Sequence, residues 1–310
     1  MPSPCVATSI SRRGLLLGSL ATMFASAIAG SASAREGALD FLAIGDWGTK
    51  RAAPVAAAMG KWADGTQPRC VISTGDNFYP SGVASTDDVL WRADFEDVFT
   101  ARGLQCPWYP VLGNHDHRGN VAAEIAYSAG SARWRMPARY FSRTEPLPAG
   151  GRADFFFIDT TPMKDETSVW NLTPFGGFVA EQMAWLEAGL SASAAEWKIV
   201  VGHHPVFSGG DHGPTEGLVR DLKPLMDRHG VQVYLNGHDH DLQHIVVDGV
   251  SYITCGGGAK PRDVKAVSGS LFARSELGFL AATVTKTAFH FSFVGTDGQP
   301  MYKAMIPNAA

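Results

Sequence analysis

Five short strings in this chain carry side chains suited to binding metal ions: Gly45-Asp46-Trp47-Gly48, Gly75-Asp76-Asn77-Phe78-Tyr79, Gly113-Asn114-His115-Asp116, Gly202-His203-His204-Pro205 and Gly237-His238-Asp239-His240. Two carboxylates, an amide, a phenol and three imidazoles make a mixed oxygen and nitrogen set. Such a set suits Fe, Mn or Zn and not Ca. Taken singly, each string has a plain reading. Gly-Asp after a strand is a common turn, and a lone Gly-His is more often structural. His238-x-His240 says more, because in an extended segment both imidazoles face one side. Five such strings, in order and each closing a separate apolar run, are hard to assign to turns.

The elements that would hold them follow from the apolar spacing. Leu39–Ile44, Val71–Thr74, Trp108–Leu112, Phe155–Ile158, Ile199–Val201 and Val231–Leu235 read as strands. Helices are expected over Val55–Trp62 and Val89–Phe99, and Phe178, Met183, Leu186 and Leu190 mark one face of another. This alternation argues for an α/β domain with much parallel sheet. In open α/β sheets ligands bind at the carboxyl ends of strands, where these polar strings fall. After Gly237 the pattern changes. Ile245–Val247, Tyr252–Thr254, Leu280–Val284 and His290–Val294 read as antiparallel strands, with Asp-Gly turns at Asp248-Gly249 and Asp297-Gly298. No internal repeat or linker appears, so one domain over residues 35–310 is the simplest account.

Residues 1–34 stand apart. Arg12-Arg13, a small apolar run from Leu15 to Ala29 and Ala32-Ser33-Ala34 read as a cleavable export signal. The run is shorter than the roughly 20 residues a spanning helix needs. Ser11-Arg12-Arg13-Gly14-Leu15-Leu16 resembles the twin-arginine type. A periplasmic or secreted protein is expected, with no stable membrane anchor after cleavage. The net charge of −4 has no basic or acidic block behind it, which argues against a nucleic-acid partner. Four cysteines, of which Cys5 leaves with the signal, form no disulfide framework. One Cys70–Cys106 bridge is conceivable, but small buried thiols are the favoured reading.

The five strings resemble those of the calcineurin-like metallophosphoesterases, and specifically the purple acid phosphatases. Gly75-Asp76-Asn77-Phe78-Tyr79 and Gly237-His238-Asp239-His240 match that family's blocks at every ligand position. Glu96-Asp97-Val98-Phe99, Gly113 to His117 with Gly119-Asn120-Val121, and His212-Gly213-Pro214-Thr215 are similar to the small, mammalian-type tartrate-resistant branch. The likeness covers about residues 39–258, without the separate N-terminal β-domain of plant-type enzymes. It implies a four-layer α/β/β/α sandwich of two mixed sheets flanked by helices. It also implies two metal ions: Fe(III) at a first site of Asp46, Asp76, Tyr79 and His240, and Fe(II), Zn or Mn at a second site of Asp76, Asn114, His203 and His238. Asp76 would bridge them.

By the same resemblance the activity is acid phosphatase: hydrolysis of small phosphate monoesters, with metal-bound hydroxide attacking phosphorus in line. His115 is the candidate for contacting the phosphate, with Asp116 expected to orient it, and His212 the candidate near the leaving group. A monomer is expected. His204 stands where family members often carry Tyr, and Thr161 to Gly177 resembles the family least. Gly256-Gly257-Gly258 is expected to turn tightly beside the site. His117, His229, His244 and His290 are read as structural. Alternatives remain open: a phosphodiesterase or nucleotidase on the same fold, against which Tyr79 speaks, a non-catalytic metal or phosphate binder, against which His115 speaks, and redox chemistry at iron as a side activity.

Overall fold

Strand residues alternate between two different cores, which is why the strands read as unbroken apolar runs. In β1 (Leu39–Ile44), Phe41 and Ala43 enter a core shared by two sheets, while Leu42 and Ile44 enter one on the outer face. In β5 (Arg152–Phe157) and β6 (Trp197–Val201), Phe155, Phe157, Ile199 and Val201 meet the same central core. Phe156 and Val200 face outward, into a third core. The computed structural model of the chain describes residues 1–2, 38–164 and 176–308. All but the first two residues of the proposed signal over 1–34, and most of the segment from Thr161 to Gly177, lie outside them. The unit described here spans Gly37–Ala310.

One sheet runs β13-β12-β11-β1-β2-β3, with β2 at Cys70–Ser73, β3 at Trp108–Pro110, β11 at Gly278–Val284, β12 at Ala288–Gly295 and β13 at Pro300–Pro307. Within it β1, β2 and β3 are parallel and the rest antiparallel. The other sheet runs β10-β8-β9-β7-β6-β5-β4, with β4 at Phe141–Pro146, β7 at Val233–Asn236, β8 at Leu242–Val247, β9 at Val250–Cys255 and β10 at Ser270–Arg274. Here β5, β6, β7 and β9 are parallel. Helix α1 (Ala53–Thr66) covers the first sheet through Val55, Met59 and Ala63. Helix α2 (Val121–Tyr127) adds Ala123 to that layer. Helices α3 (Gly176–Ala192) and α4 (Glu216–Arg228) cover the second sheet, through Leu186 and Leu190 and through Leu218, Leu222 and Met226. The result is the expected four layers of two mixed sheets between helices.

Three features differ from the sequence reading. β4, β10 and β13 form without having been read from the sequence, and each is the edge of a sheet. Edge strands stay largely exposed and carry charges such as Arg143, Arg274 and Lys303, which blurs their period. Helix α4 was hidden by Pro224 in its interior. The helix expected over Val89–Phe99 contracts to a short wide turn over Trp91–Glu96, set by aromatic packing: Trp91 stacks on Tyr127 at 3.6 Å, and Phe78 meets Trp91 edge-on at 4.6 Å. Cys70 and Cys106 are both free thiols. Cys70 points into the central core and Cys106 against the outer one, so the sheet separates them. The turn at Asp248-Gly249 forms as expected, with φ of 49° and 84°, the left-handed pair a two-residue hairpin needs. Among the described residues no helix is long and apolar enough to cross a membrane.

Candidate metal centre

Each functional string follows the carboxyl end of a parallel strand: Asp46 after β1, Asp76 and Tyr79 after β2, Asn114 after β3, His203 after β6, and His238 and His240 after β7. Asp46, Asp76 and His238 have φ of 59°, 51° and 69°, a region L side chains rarely adopt. Such strain persists only where the surroundings impose it, at a cost of order 1–3 kcal/mol each. Here the surroundings are specific. Asp46 Oδ2 accepts from His238 N at 2.9 Å, Asp76 Oδ1 accepts from His115 N at 2.8 Å, and Trp47 and Phe78 anchor their loops in the outer aromatic core. The three-glycine turn packs against this backbone, as expected. A Cβ on Gly256 would lie 2.1 Å from Asp239 O and 2.8 Å from Asp46 Oδ2.

The structure gathers seven of the predicted residues into two adjoining clusters. In the first, Tyr79 Oη lies 3.2 Å from Asp46 Oδ1, 2.9 Å from Asp76 Oδ2 and 3.1 Å from His240 Nε2. In the second, His203 Nε2 lies 3.2 Å from Asn114 Oδ1, 3.2 Å from His238 Nδ1 and 3.5 Å from Asp76 Oδ1. Tautomers follow from the outer contacts, because a carbonyl only accepts. His203 Nδ1 faces Thr74 O at 2.9 Å and His240 Nδ1 faces Lys260 O at 2.9 Å. Both Nδ1 atoms therefore carry hydrogen, and both Nε2 lone pairs point inward, the arrangement typical of metal-binding histidines.

The first cluster thus sets the Tyr79 hydroxyl among three acceptors, and the second turns the His203 Nε2 lone pair toward His238 Nδ1, Asn114 Oδ1 and Asp76 Oδ1. Buried acceptors facing one another are costly unless a cation sits between them. Burial, then the charge of Asp76, holds the Asp46 carboxyl well above its ordinary range. Burial depresses His203 and His238 and brings His240 down to about 4, so these imidazoles are neutral and able to coordinate. Burial, then Asp46 and Asp76, pushes the Tyr79 phenol up, and a bound cation would reverse that sense. The residues fit a pair of metal ions.

His115 and His212 stand beside the clusters. His115 Nδ1 donates to Pro80 O at 2.7 Å, and its Nε2 is 4.0 Å from Asp76 Oδ2. The expectation that Asp116 orients His115 is wrong. Asp116 is buried and accepts from Gly113 N at 2.8 Å, Asn77 N at 2.9 Å and Phe78 N at 3.1 Å, so it ties the loops after β2 and β3 together. The Pro80 carbonyl does the orienting. His212 stacks on His238 with ring centroids 4.2 Å apart, and its main-chain N–H donates to Asp239 Oδ1 at 2.9 Å. His117, read as structural, contacts Asp159 at 3.0 Å, a carboxylate that also takes Arg139 at 2.7 Å.

His204 lies close enough to His203 and His238 to form a three-histidine group, with ligand atoms within 4.8 Å of one another. Its hydrogen bonds argue against ligation. Thr160 Oγ1 accepts from His203 N at 3.2 Å and His204 N at 2.9 Å, so its hydrogen goes to His204 Nδ1 at 3.0 Å. Nδ1 is then the acceptor, and the hydrogen of a neutral ring sits on Nε2, where it blocks a metal bond. Thr160 carries no motif that would have marked it in the sequence.

Residues 39–242 match the family of calcineurin-like phosphoesterases. Purple acid phosphatase 7 of Arabidopsis thaliana is 35% identical over 291 residues, 87% of this chain and 87% of its own. Tartrate-resistant acid phosphatase type 5 of Oryctolagus cuniculus is 35% identical over 298 residues, 88% of this chain and 92% of its own. Among solved structures, GAP50, the anchor in the inner membrane complex of Plasmodium, superposes with a TM-score of 0.81 at 26% identity, covering 88% of this chain and 90% of that one. A purple acid phosphatase from yellow lupin (Lupinus luteus) seeds shares the fold, with a TM-score of 0.65 at 16% identity over 88% of this chain and 54% of that one. With two clusters of metal donors at the strand ends of this sandwich, the chain belongs to the calcineurin-like phosphoesterase family. Within that family its relatives are purple and tartrate-resistant acid phosphatases, and it is a metal-dependent hydrolase of phosphate esters.

Proposed function

We propose that the protein is a phosphomonoesterase with Fe(III) held by Asp46, Asp76, Tyr79 and His240, and with Fe(II), Zn or Mn held by Asp76, Asn114, His203 and His238. The observation that carries this reading is the convergence of unshared lone pairs in two clusters joined by Asp76. A pair of ions held by these residues would supply Lewis acidity and a nucleophilic water. The chain's own residues do the rest. His115, anchored through Nδ1 by Pro80, turns Nε2 toward the phosphoryl group. His212, stacked on His238 and held by Asp239, stands on the side of the leaving alcohol.

Metal analysis with parallel assays of an aryl phosphate monoester and diester tests this reading. Two ions per chain and a faster monoester reaction are expected. Faster diester cleavage would favour the phosphodiesterase reading, and metal binding without hydrolysis would favour a binding role. The twin arginines at Arg12-Arg13 and the Ala32-Ser33-Ala34 sequence support export to the periplasm or beyond.

A further inference from the structure

Two guanidinium groups stand at the rim of the metal centre, and among the described residues neither is paired with an acid. Arg262 Nη1 donates to His212 Nε2 at 2.9 Å, and its main-chain N–H donates to His240 O at 2.8 Å. On another wall Arg118 Nη1 lies 3.3 Å from His115 Nδ1, whose ring is 4.3 Å from that of Tyr79. Among the described residues neither guanidinium has a carboxylate partner within 4.0 Å, although Asp211 and Asp263 lie nearby in sequence. On a chain of net charge −4 these two side chains put positive charge at the rim.

Arg262 currently spends a donor on a neutral imidazole lone pair, a weak partner for a planar fork that matches carboxylate and phosphate bidentately. It therefore has both the position and the spare donors to take an anion on the leaving-group side. We propose that Arg262 is a specificity-determining residue selecting phosphate monoesters whose leaving group carries a second anionic group, a carboxylate or phosphate, within a few bonds of the ester oxygen. This rests on the phosphatase reading above. Arg118 stands against the Nδ1 edge of His115, whose Nε2 turns toward the transferred phosphoryl group, so it does not discriminate between leaving groups.

Glycerol 3-phosphate and glycerate 3-phosphate differ by one carboxylate in the leaving group, and their kcat/KM ratio reads the effect. The wild-type protein, metal-loaded, should prefer the carboxylate substrate. Arg262→Gln should shrink that preference about tenfold, mainly through KM, as loss of one charge-assisted contact implies. Arg262→Lys should recover part of it, and Arg118→Gln should slow both substrates alike. Calorimetric binding of phosphonoacetate against methylphosphonate should follow the same order without turnover. A ratio that stays within twofold in Arg262→Gln, or that shifts equally in Arg118→Gln, overturns the proposal. No hydrolysis of either substrate by the wild-type protein sinks the phosphatase reading instead, and the phosphonate pair then still decides Arg262.

Discussion

Asp76→Asn should make the metal-free protein more stable and the metal-loaded protein less so. Asp76 is 2% exposed, touches the first cluster through Oδ2 at 2.9 Å from Tyr79 and the second through Oδ1 at 3.5 Å from His203. Ligand atoms of Asp46 and Asp76 lie within 4.8 Å of each other, so two full charges there repel by roughly 3 kcal/mol at an effective dielectric of about 20. Burial and then Asp76 raise the Asp46 carboxyl well above its ordinary range, so without metal the folded chain binds a proton there more readily than the unfolded chain does. The pair's own contribution to metal-free stability is therefore fully present below the ordinary carboxylate range and is lost as pH rises from there through the raised Asp46 value. The neutral amide removes the repulsion and flattens that fall, worth about 1–3 kcal/mol near neutral pH.

Metal acts the other way. Two ions at a thousandfold excess over their dissociation constants add about 4 kcal/mol each. At about 2 °C per kcal/mol for a chain this long, the wild-type Tm should rise by about 15 °C on loading. Asp76→Asn, lacking the shared charge, should rise by only a few degrees. Thermal unfolding of chelated and reloaded proteins at several pH values reads both effects. A chelated variant that melts below chelated wild type, or a metal-induced rise as large as the wild type's, would refute the shared-ligand reasoning.

Tyr79→Phe should remove the visible absorption band expected of a phenolate on Fe(III) while leaving the fold and part of the activity. Iron-loaded wild type with no visible colour in either oxidation state counts against that assignment. His212→Ala should keep both metals and lose about 10²–10⁴-fold in rate on alkyl phosphates, as a positioned acid–base group implies. Unchanged alkyl phosphate turnover rules out that role. Arg12→Lys with Arg13→Lys should trap precursor inside the cell, and normal export of the double variant removes the twin-arginine assignment.

The donors were legible in the sequence because each is a local event. A parallel strand stops, a glycine turns the chain, and the next residues are polar. Gly45-Asp46, Gly75-Asp76 and Gly237-His238 all follow this rule, and their left-handed φ values are its structural counterpart. The buried strands were legible for a related reason: β1, β5 and β6 are covered on both faces and so are apolar throughout.

The three unread edge strands β4, β10 and β13 face water and need no such pattern. Asp116 reads as a partner for its neighbour His115, yet it belongs to Asn77 and Phe78 across a loop. Thr160 settles the tautomer of His204 from 44 residues away, and Arg262 meets His212 from 50 residues away. Hydrogen-bond partners of this kind are chosen by where strand ends converge, and a sequence records only neighbours along the chain. The residue types and their place at strand ends alone determined which chemistry this protein performs. Only the packing of the two sheets decided which hydrogens those residues carry, which charges stand at the rim, and why Cys70 and Cys106 remain apart.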